Sequence, residues 1–523
     1  MLKHLSHAGG VKPAEEILFS TPFGYMFPDL AANSAAKLSE QTATIRALLS
    51  LGNAMADPGE PHPGDEIPAL NSNIPAVFTY LGQFIDHDIT ARTDRETGVS
   101  EIAGTDSNAA EIAPTPPEVV VQNLKNGRRP QLDLDSVYGD GPGLLGSGVA
   151  GSKTQAEFLY DPSTLLLNVQ EGEGFIDLPR VQRAAQIGDM RNDENVMISQ
   201  MHAAFLKFHN AIACSLPETL SPEQRYVQAR QLVRWAYQYV VVNDYLNAVC
   251  ASAIVGDVLL NGPRFYRPGF NDGALFMPLE FSVAGFRFGH SMIRPFYQLN
   301  RDTQAIIMNL LGVARERRAE NGKEDLLEES YGQYRLKSKF MVDWENFVAF
   351  VSEEPVTNRA RIIDPKIARG LFNMQLDGAP PNTMLSHLAQ RNLLRGYSLS
   401  VPTGQAIARA MGYDPLDEAE LIHNEADEAI REAIEEGGFG NRTPLWYYLL
   451  KEAAVQTQGN SLGAVGSTLV AETLIGLVKL DPNSYLNNAH HPAVQPDGIH
   501  VPASGGEAVI STIADILVGA GLR

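Results

Sequence analysis

The chain has 523 residues and carries 62 acidic against 41 basic side chains, a formal net charge of −21. That surplus argues against nucleic acid and anionic membrane as partners, because phosphate contact needs clustered Lys and Arg, and no apolar run reaches spanning length, so no membrane insertion is expected. With 44% hydrophobic residues the chain reads as globular, and two cysteines, Cys214 and Cys250, exclude a disulfide framework and cysteine-held zinc or iron–sulfur clusters. The first twenty residues lack an apolar core of signal-peptide length, which points to the cytoplasm as the default location, with non-classical export as the alternative.

Helical periodicity dominates, with apolar residues at three- and four-residue spacing over Ala35–Ala54, Val196–Cys214, Glu223–Ala248, Pro444–Ala453 and Leu462–Lys479. Long alternating strand patterns are scarce. The expected class is mainly α with little β structure. In chain order, the first polar cluster lies in Tyr80–Thr90. If this stretch is helical, Gln83, Asp86 and His87 share one face, and Asp88 is turned about 100° away from His87. A histidine on a helix is usually a satisfied polar group, but three polar residues on an apolar segment need polar company.

Arg92–Pro117 and Gly139–Gly151 read as surface loops. Between them, Asp133-Leu134-Asp135 alternates carboxylates in a turn-rich stretch, a pattern that suits Ca²⁺ but lacks EF-hand spacing. Gly188–Asn195 opens an apolar helix, with Arg191 and Glu194 spaced to form an intrahelical ion pair. His202 and His209 follow on one helix face and read as packing residues. In Phe286-Arg287-Phe288-Gly289-His290, His290 is either a core histidine or a metal ligand, and Gly289 would let a flat group approach the backbone. Ala314–Lys337 reads as a charged, solvated helix. In Ala389–Gly396, Asn392 and Arg395 share a face. Asp417–Glu436 holds nine acids against Arg431, reads as an acidic solvated helix, and carries −8 of the −21. His490-His491 reads as surface.

Taken in this order, Gly82-Gln-Phe-Ile-Asp-His-Asp88, Leu134-Asp-Ser-Val-Tyr-Gly139, Gly188-Asp-Met-Arg-Asn-Asp-Glu194 and Phe286-Arg-Phe-Gly-His290 resemble the animal-type haem peroxidase superfamily. The resemblance runs from about Pro75 to Tyr485. It implies one large helical haem peroxidase domain over 61–523, with 1–60 as an N-terminal extension packed on it. The cofactors it implies are haem b and Ca²⁺.

The resemblance also implies roles for individual residues. His87 stands at the distal histidine, Gln83 at the distal glutamine and Arg191 at the distal arginine. His290 stands at the proximal iron ligand, and Asn392 at the asparagine bonded to its other ring nitrogen. Arg287 and Arg395 stand where basic residues meet haem propionates. Asp86 and Glu194 match two carboxylates that form ester links to haem. Asn195 replaces a methionine that elsewhere gives a sulfonium link, so no such link is expected. Asp88, Asp133 and Asp135, with backbone carbonyls near Arg129 and Gln131, match a calcium loop. Arg129 stands where a threonine is usual, so only its carbonyl would serve.

The implied activity is oxidation by hydrogen peroxide, through a ferryl intermediate, of halide, thiocyanate or small aromatic donors. Fatty-acid dioxygenases of the same superfamily carry a radical-forming tyrosine three residues before the proximal histidine, where this chain has Arg287. A haem-binding adhesion or matrix protein is the other alternative, and it would not need Gln83, His87 and Arg191 together.

Overall fold

A computed structural model describes residues 3–5, 11–12, 20–57, 70–94, 112–139, 159–268, 274–315, 324–330, 332–351, 354–372, 374, 386–423 and 425–523. The apolar periodicity becomes helix in each stretch that carries it, with side-chain caps closing the starts at Asn195 and Ser221. Helix α1 is Thr42–Ala54, later than the periodicity predicts, because Asn33 caps a separate 3-10 turn at Ser34–Ala36. Helix α2, Val77–Ile89, buries eleven of its thirteen residues, including Asp86, His87 and Asp88.

Helix α3, Val196–Ser215, starts at Asn195, whose side chain accepts from the Ile198 amide at 2.9 Å. Helix α4, Pro222–Val240, opens with a capping box between Ser221 and Gln224 and with Pro222 in its first turn. The expected continuous helix to Ala248 is interrupted by a π-helical turn at Val241–Tyr245 before a last turn at Leu246–Val249. Helices α5 (Leu388–Ser398), α6 (Leu445–Thr457) and α7 (Ala464–Leu480) complete the set that surrounds the polar residues.

α2 packs on α3, α1 on α5, and both α6 and α7 on the 3-10 segment Gly285–His290. Gln390 fastens α5 to α1 by donating to Leu49 O at 3.2 Å and Asn53 Oδ1 at 3.0 Å. A single connected apolar cluster runs from Phe23 to Ala520, so the residues of the described chain share one core. The strands are short. The widest sheet has six, ordered Met277–Pro278, Thr21–Gly24, Leu124–Asn126, Arg92–Asp94, Lys3–Leu5 and Val11–Lys12. Strand Asn71–Pro75 pairs antiparallel with Arg359–Arg361 and fixes the entry to α2.

Two charged stretches differ from expectation. Within Ala314–Lys337, Leu327–Ser330 and Gln333–Leu336 form an antiparallel hairpin, not a helix. Leu327 and Leu336 are buried as partners, and Gly332 takes the left-handed φ of +79° at the turn. Residues 316–323 lie outside the described set. The acidic run Asp417–Glu436 is broken into a π-helical turn at Ala419–His423 and a helix at Glu428–Glu436, because Asp427 turns to cap the latter through Ile430 N. Lys451 reaches Glu425 at 2.8 Å and Lys366 reaches Asp427 at 2.5 Å, so part of this acidity is paired internally. Of the two surface loops, residues 95–111 and 140–151 lie outside the described set, while Arg92–Asp94 is strand and Pro117–Asn123 helix. No described helix is long and apolar enough to cross a membrane.

Glu280, on the short helix Leu279–Val283 just before the His290 segment, is fully buried. It accepts from the amides of Met26 at 2.8 Å and Phe27 at 3.0 Å, holding the N-terminal segment to this region. Burial raises its pKa from 4.5 to about 7 against the pull of those amides. Because the folded value lies above the unfolded one, the carboxyl's contribution is full below about pH 4.5 and is lost as pH rises through about 7. Urea unfolding at about pH 4 and pH 8 should therefore show wild type losing about 3 kcal/mol relative to Glu280→Gln. An unchanged difference between the two would contradict this sign.

Candidate functional site

Helix α2 brings Gln83, Asp86 and His87 to one side and Asp88 to the other, as the 100° step requires. The 3-10 turn Met190–Asp193 meets the first side. His87 Nδ1 lies 2.7 Å from Asn192 Oδ1, and the Asn192 amide nitrogen lies 2.9 Å from His202 Nδ1. Gln83 Nε2 donates to Glu194 Oε1 at 2.5 Å, while Gln83 Oε1 accepts from Asn195 Nδ2 at 3.1 Å. His87 Nε2 is 3.6 Å from the same Glu194 oxygen. Asn195 thus serves twice, capping α3 and orienting Gln83. Burial, and then the charge of Arg191, lowers the His87 pKa to about 4, so its imidazole is neutral at ordinary pH.

Arg191 turns away from Glu194, so the intrahelical ion pair that the spacing suggested does not form. Its Nε and Nη2 grip Asp189 at 2.6–3.1 Å, and Nη2 also donates to the carbonyls of His87 at 2.9 Å and Thr90 at 2.7 Å. No hydrogen bond to its Nη1 is present among the described residues. Burial alone would raise the Asp189 carboxyl, but Arg128 and Arg191 outweigh it and hold the group well below the usual carboxylate range.

Asp86 accepts from Thr90 Oγ1 at 3.0 Å and faces Arg287 Nη1 at 3.4 Å. Arg287 is fixed by its own Nε on Ser282 O at 2.9 Å, and its carbonyl accepts from Trp446 Nε1 at 3.1 Å. Three residues on, His290 Nδ1 lies 2.8 Å from Asn392 Nδ2. In this orientation Nδ1 accepts. A half turn of the Asn392 amide puts its oxygen inward, makes Nδ1 the donor and leaves Nε2 as a metal ligand.

One turn beyond Asn392, Arg395 is half-buried. Arg391, which the spacing argument passed over, is buried within electrostatic reach of Arg287 and Glu194. Burial, and then Arg287, lowers its pKa to about 10. Its position next to Asn392 was the available signal. Cβ atoms built on Gly289 and Gly396 would meet nothing within 4 Å, so open space adjoins both chain segments that carry His290 and Asn392. A histidine paired with an amide, flanking arginines and two open glycines are a donor set that fits a haem.

On the opposite side of α2, Asp88, Asp133 and Asp135 are buried with ligand oxygens all within 4.8 Å of one another. Asp88 accepts from the Leu134 amide at 3.2 Å and from the Ser136 amide and hydroxyl at 3.3 and 3.1 Å. Burial, and then Asp133, raises the Asp88 pKa to about 7, and burial raises that of Asp135 as well. Asp135 Oδ2 has no hydrogen-bond partner among the described residues. Arg128 reaches Asp135 at 3.2 Å, and the Arg129 side chain, half-exposed, reaches Asp133 at 3.0 Å. The Arg129 carbonyl accepts from the Gln131 amide at 2.8 Å. Three buried carboxylates this close, one with an unused oxygen, fit a hard cation.

His209 accepts or donates at 3.0 Å with Tyr138 Oη, the packing role expected of it. His202, by contrast, is joined to His87 through Asn192, which its sequence context did not reveal. His490 and His491 are exposed.

The family described as animal haem peroxidase matches residues 63–437. Myeloperoxidase of Mus musculus is 26% identical over 269 residues, 43% of this chain and 37% of its own length. A peroxidase-like protein of Margaritifera margaritifera is 28% identical over 266 residues, 42% of this chain and 31% of its own. These matches span about a third of each relative (37% and 31%). Among solved structures, peroxidase A of Dictyostelium discoideum aligns with a TM-score of 0.58 at 16% identity, covering 89% of this chain and 88% of its own. A fatty acid alpha-dioxygenase of Arabidopsis thaliana aligns at 0.59 with 14% identity, covering 86% and 71%. At these identities the two structures speak for the fold, and the sequence match over 63–437 speaks for descent: the chain belongs to the animal haem peroxidase family.

Proposed function

We propose that this chain is a peroxidase that uses hydrogen peroxide to oxidise a small anionic donor, such as a halide or thiocyanate, or a small aromatic one. The observation that carries this reading is a buried, neutral His87 held by Asn192 and adjoining Gln83 and Glu194, in a chain that also pairs His290 with Asn392. Haem b, held by His290 and flanked by Arg287 and Arg395, supplies the two-electron oxidising chemistry when bound.

His87 takes the peroxide proton at Nε2 and returns it to the departing oxygen, acting as base and then acid. Gln83, oriented by Glu194 and Asn195, positions water or a small anion beside that nitrogen. Arg191 holds the α2 backbone at His87 and Thr90, and its permanent positive charge beside the site favours the negative charge that grows on the departing oxygen. Arg391 beside Arg287 adds positive charge that favours an anionic donor. The dioxygenase alternative needs a phenol where Arg287 stands, bonded to Ser282 and facing Asp86.

Replacing His87 by Ala should lower the peroxide rate by at least about 100-fold while haem still binds, whereas His290→Ala should lose haem. Haem content read from the Soret band, alongside stopped-flow peroxide kinetics, checks both. Persistent turnover in His87→Ala would remove the mechanism.

Asp86 and Glu194 are the residues for ester links to haem. Acidic acetone should leave haem on the wild-type protein after peroxide treatment, and Asp86→Val and Glu194→Gln should each release one link, seen by mass spectrometry. Complete extraction from wild type would remove the links.

Asp88, Asp133 and Asp135 are the residues for calcium, with backbone carbonyls of 129 and 131 as further oxygens. Chelation should lower the melting temperature by several degrees, and added Ca²⁺ should restore it, because uncompensated buried carboxylates cost roughly 1–3 kcal/mol or more. Asp133→Asn should remove the calcium response. A melting temperature indifferent to chelator and to calcium would reject the site.

A further inference from the structure

We infer that Asn192 and His202 form a relay that fixes the tautomer of His87 and so keeps its Nε2 available as the base. The inference rests on the proposed peroxidase reading and goes beyond it by assigning positioning work to two residues outside the family motif's named roles.

The three side chains are fully buried, so the Asn192 amide stands in for water as the partner of the two Nδ1 atoms. The Asn192 amide joins two rings. Its oxygen lies 2.7 Å from His87 Nδ1 and its nitrogen 2.9 Å from His202 Nδ1. An amide has a fixed polarity, acceptor at one end and donor at the other. With oxygen toward His87, His87 Nδ1 must carry the proton, and its Nε2 lone pair is left on the side of Gln83 and Glu194. With nitrogen toward His202, the His202 Nδ1 must accept, and its own proton sits on Nε2.

Reversing Asn192 would reverse both rings at once, placing the proton on His87 Nε2 and abolishing its use as a base. The direction found, oxygen toward His87 and nitrogen toward His202, is the one that leaves His87 Nε2 as the acceptor. His202 is held by α3, with its ring edge-on to Phe84 at 6.1 Å and no partner for Nε2 among the described residues. Phe84 stacks in turn on Phe205 at 4.7 Å, so His202 cannot swing away without unpacking α2 from α3. Apolar packing thus holds the far ring in place, so that its Nδ1 stays within reach of the Asn192 amide nitrogen.

Cyanide is the test probe, because it binds ferric haem as the anion after HCN gives its proton to a distal base. In the haem-loaded protein, Asn192→Leu should slow cyanide association by about 10- to 100-fold and lower kcat with KM for the donor unchanged, at full haem content. His202→Phe should act in the same direction. His202→Gln, whose amide oxygen can accept from Asn192, should return association to within about threefold of wild type. Selective ¹⁵N-histidine spectra of the haem-free protein should show His87 with an unprotonated Nε2 in wild type and a mixture of tautomers in His202→Phe.

If Asn192→Leu and His202→Phe take up haem and bind cyanide at the wild-type rate, the two residues are packing only. His87→Ala separates the layers. If it also binds cyanide and turns over normally, the peroxidase reading has failed, whereas loss in His87→Ala alone rejects only the relay.

Discussion

The structure depends on one costly act, the burial of a helix that carries two carboxyl groups and an imidazole into the core. α2 is apolar enough to pack on α3, yet Asp86, His87 and Asp88 go in with it and Gln83 is half-buried beside them. Unpaired, such groups would cost several kcal/mol together. Four of the segments that touch α2 therefore arrive with a polar partner. The turn at 190–193 supplies Asn192, the start of α3 supplies Asn195, the segment before His290 supplies Arg287, and the loop at 133–136 supplies amides and a hydroxyl to Asp88. The positions of these segments follow from that requirement.

The two sides of α2 are joined by charge as well as by chain. Arg128 contacts both Asp135 and Asp189, Asp189 grips Arg191, and Arg191 donates to the carbonyls of His87 and Thr90. A continuous ionic path thus runs from the acidic cluster to the backbone of His87. In a low-dielectric interior such a path rigidifies its members only when each charge is answered. Asp189 is the member that answers two guanidinium groups at once.

Much of this was legible in the sequence because it is local. The periodicity of α2 and the offset of Asp88 from His87 need only the geometry of one helix, and the order of the motifs identified the superfamily. Partners drawn from distant segments were not legible. Spacing alone paired Arg191 with Glu194, but in the fold Arg191 goes to Asp189 and to the carbonyls of α2, while Glu194 goes to Gln83. His202 read as packing because nothing nearby in sequence names Asn192 as a bridge. The acidic run at 417–436 read as one helix because composition does not show that Asp427 will turn to cap its second half. The charged stretch near 330 read as helix because residue charge outweighed the buried Leu327 and Leu336 pairing across Gly332.

The pairings that make the site have a kinetic consequence. His87 meets Asn192 across 105 residues, and His290 meets Asn392 across 102. Contacts of such sequence separation form late, since the loop entropy must be met before they reward it. A nascent or partly folded chain therefore holds no half-built centre: the histidine of α2 waits for the turn at 190–193, and that of the 285–290 segment waits for α5. Assembly of the two histidine–asparagine pairs is consequently coupled to completion of the fold, and a chain stalled on the ribosome before residue 392 lacks the amide that meets His290.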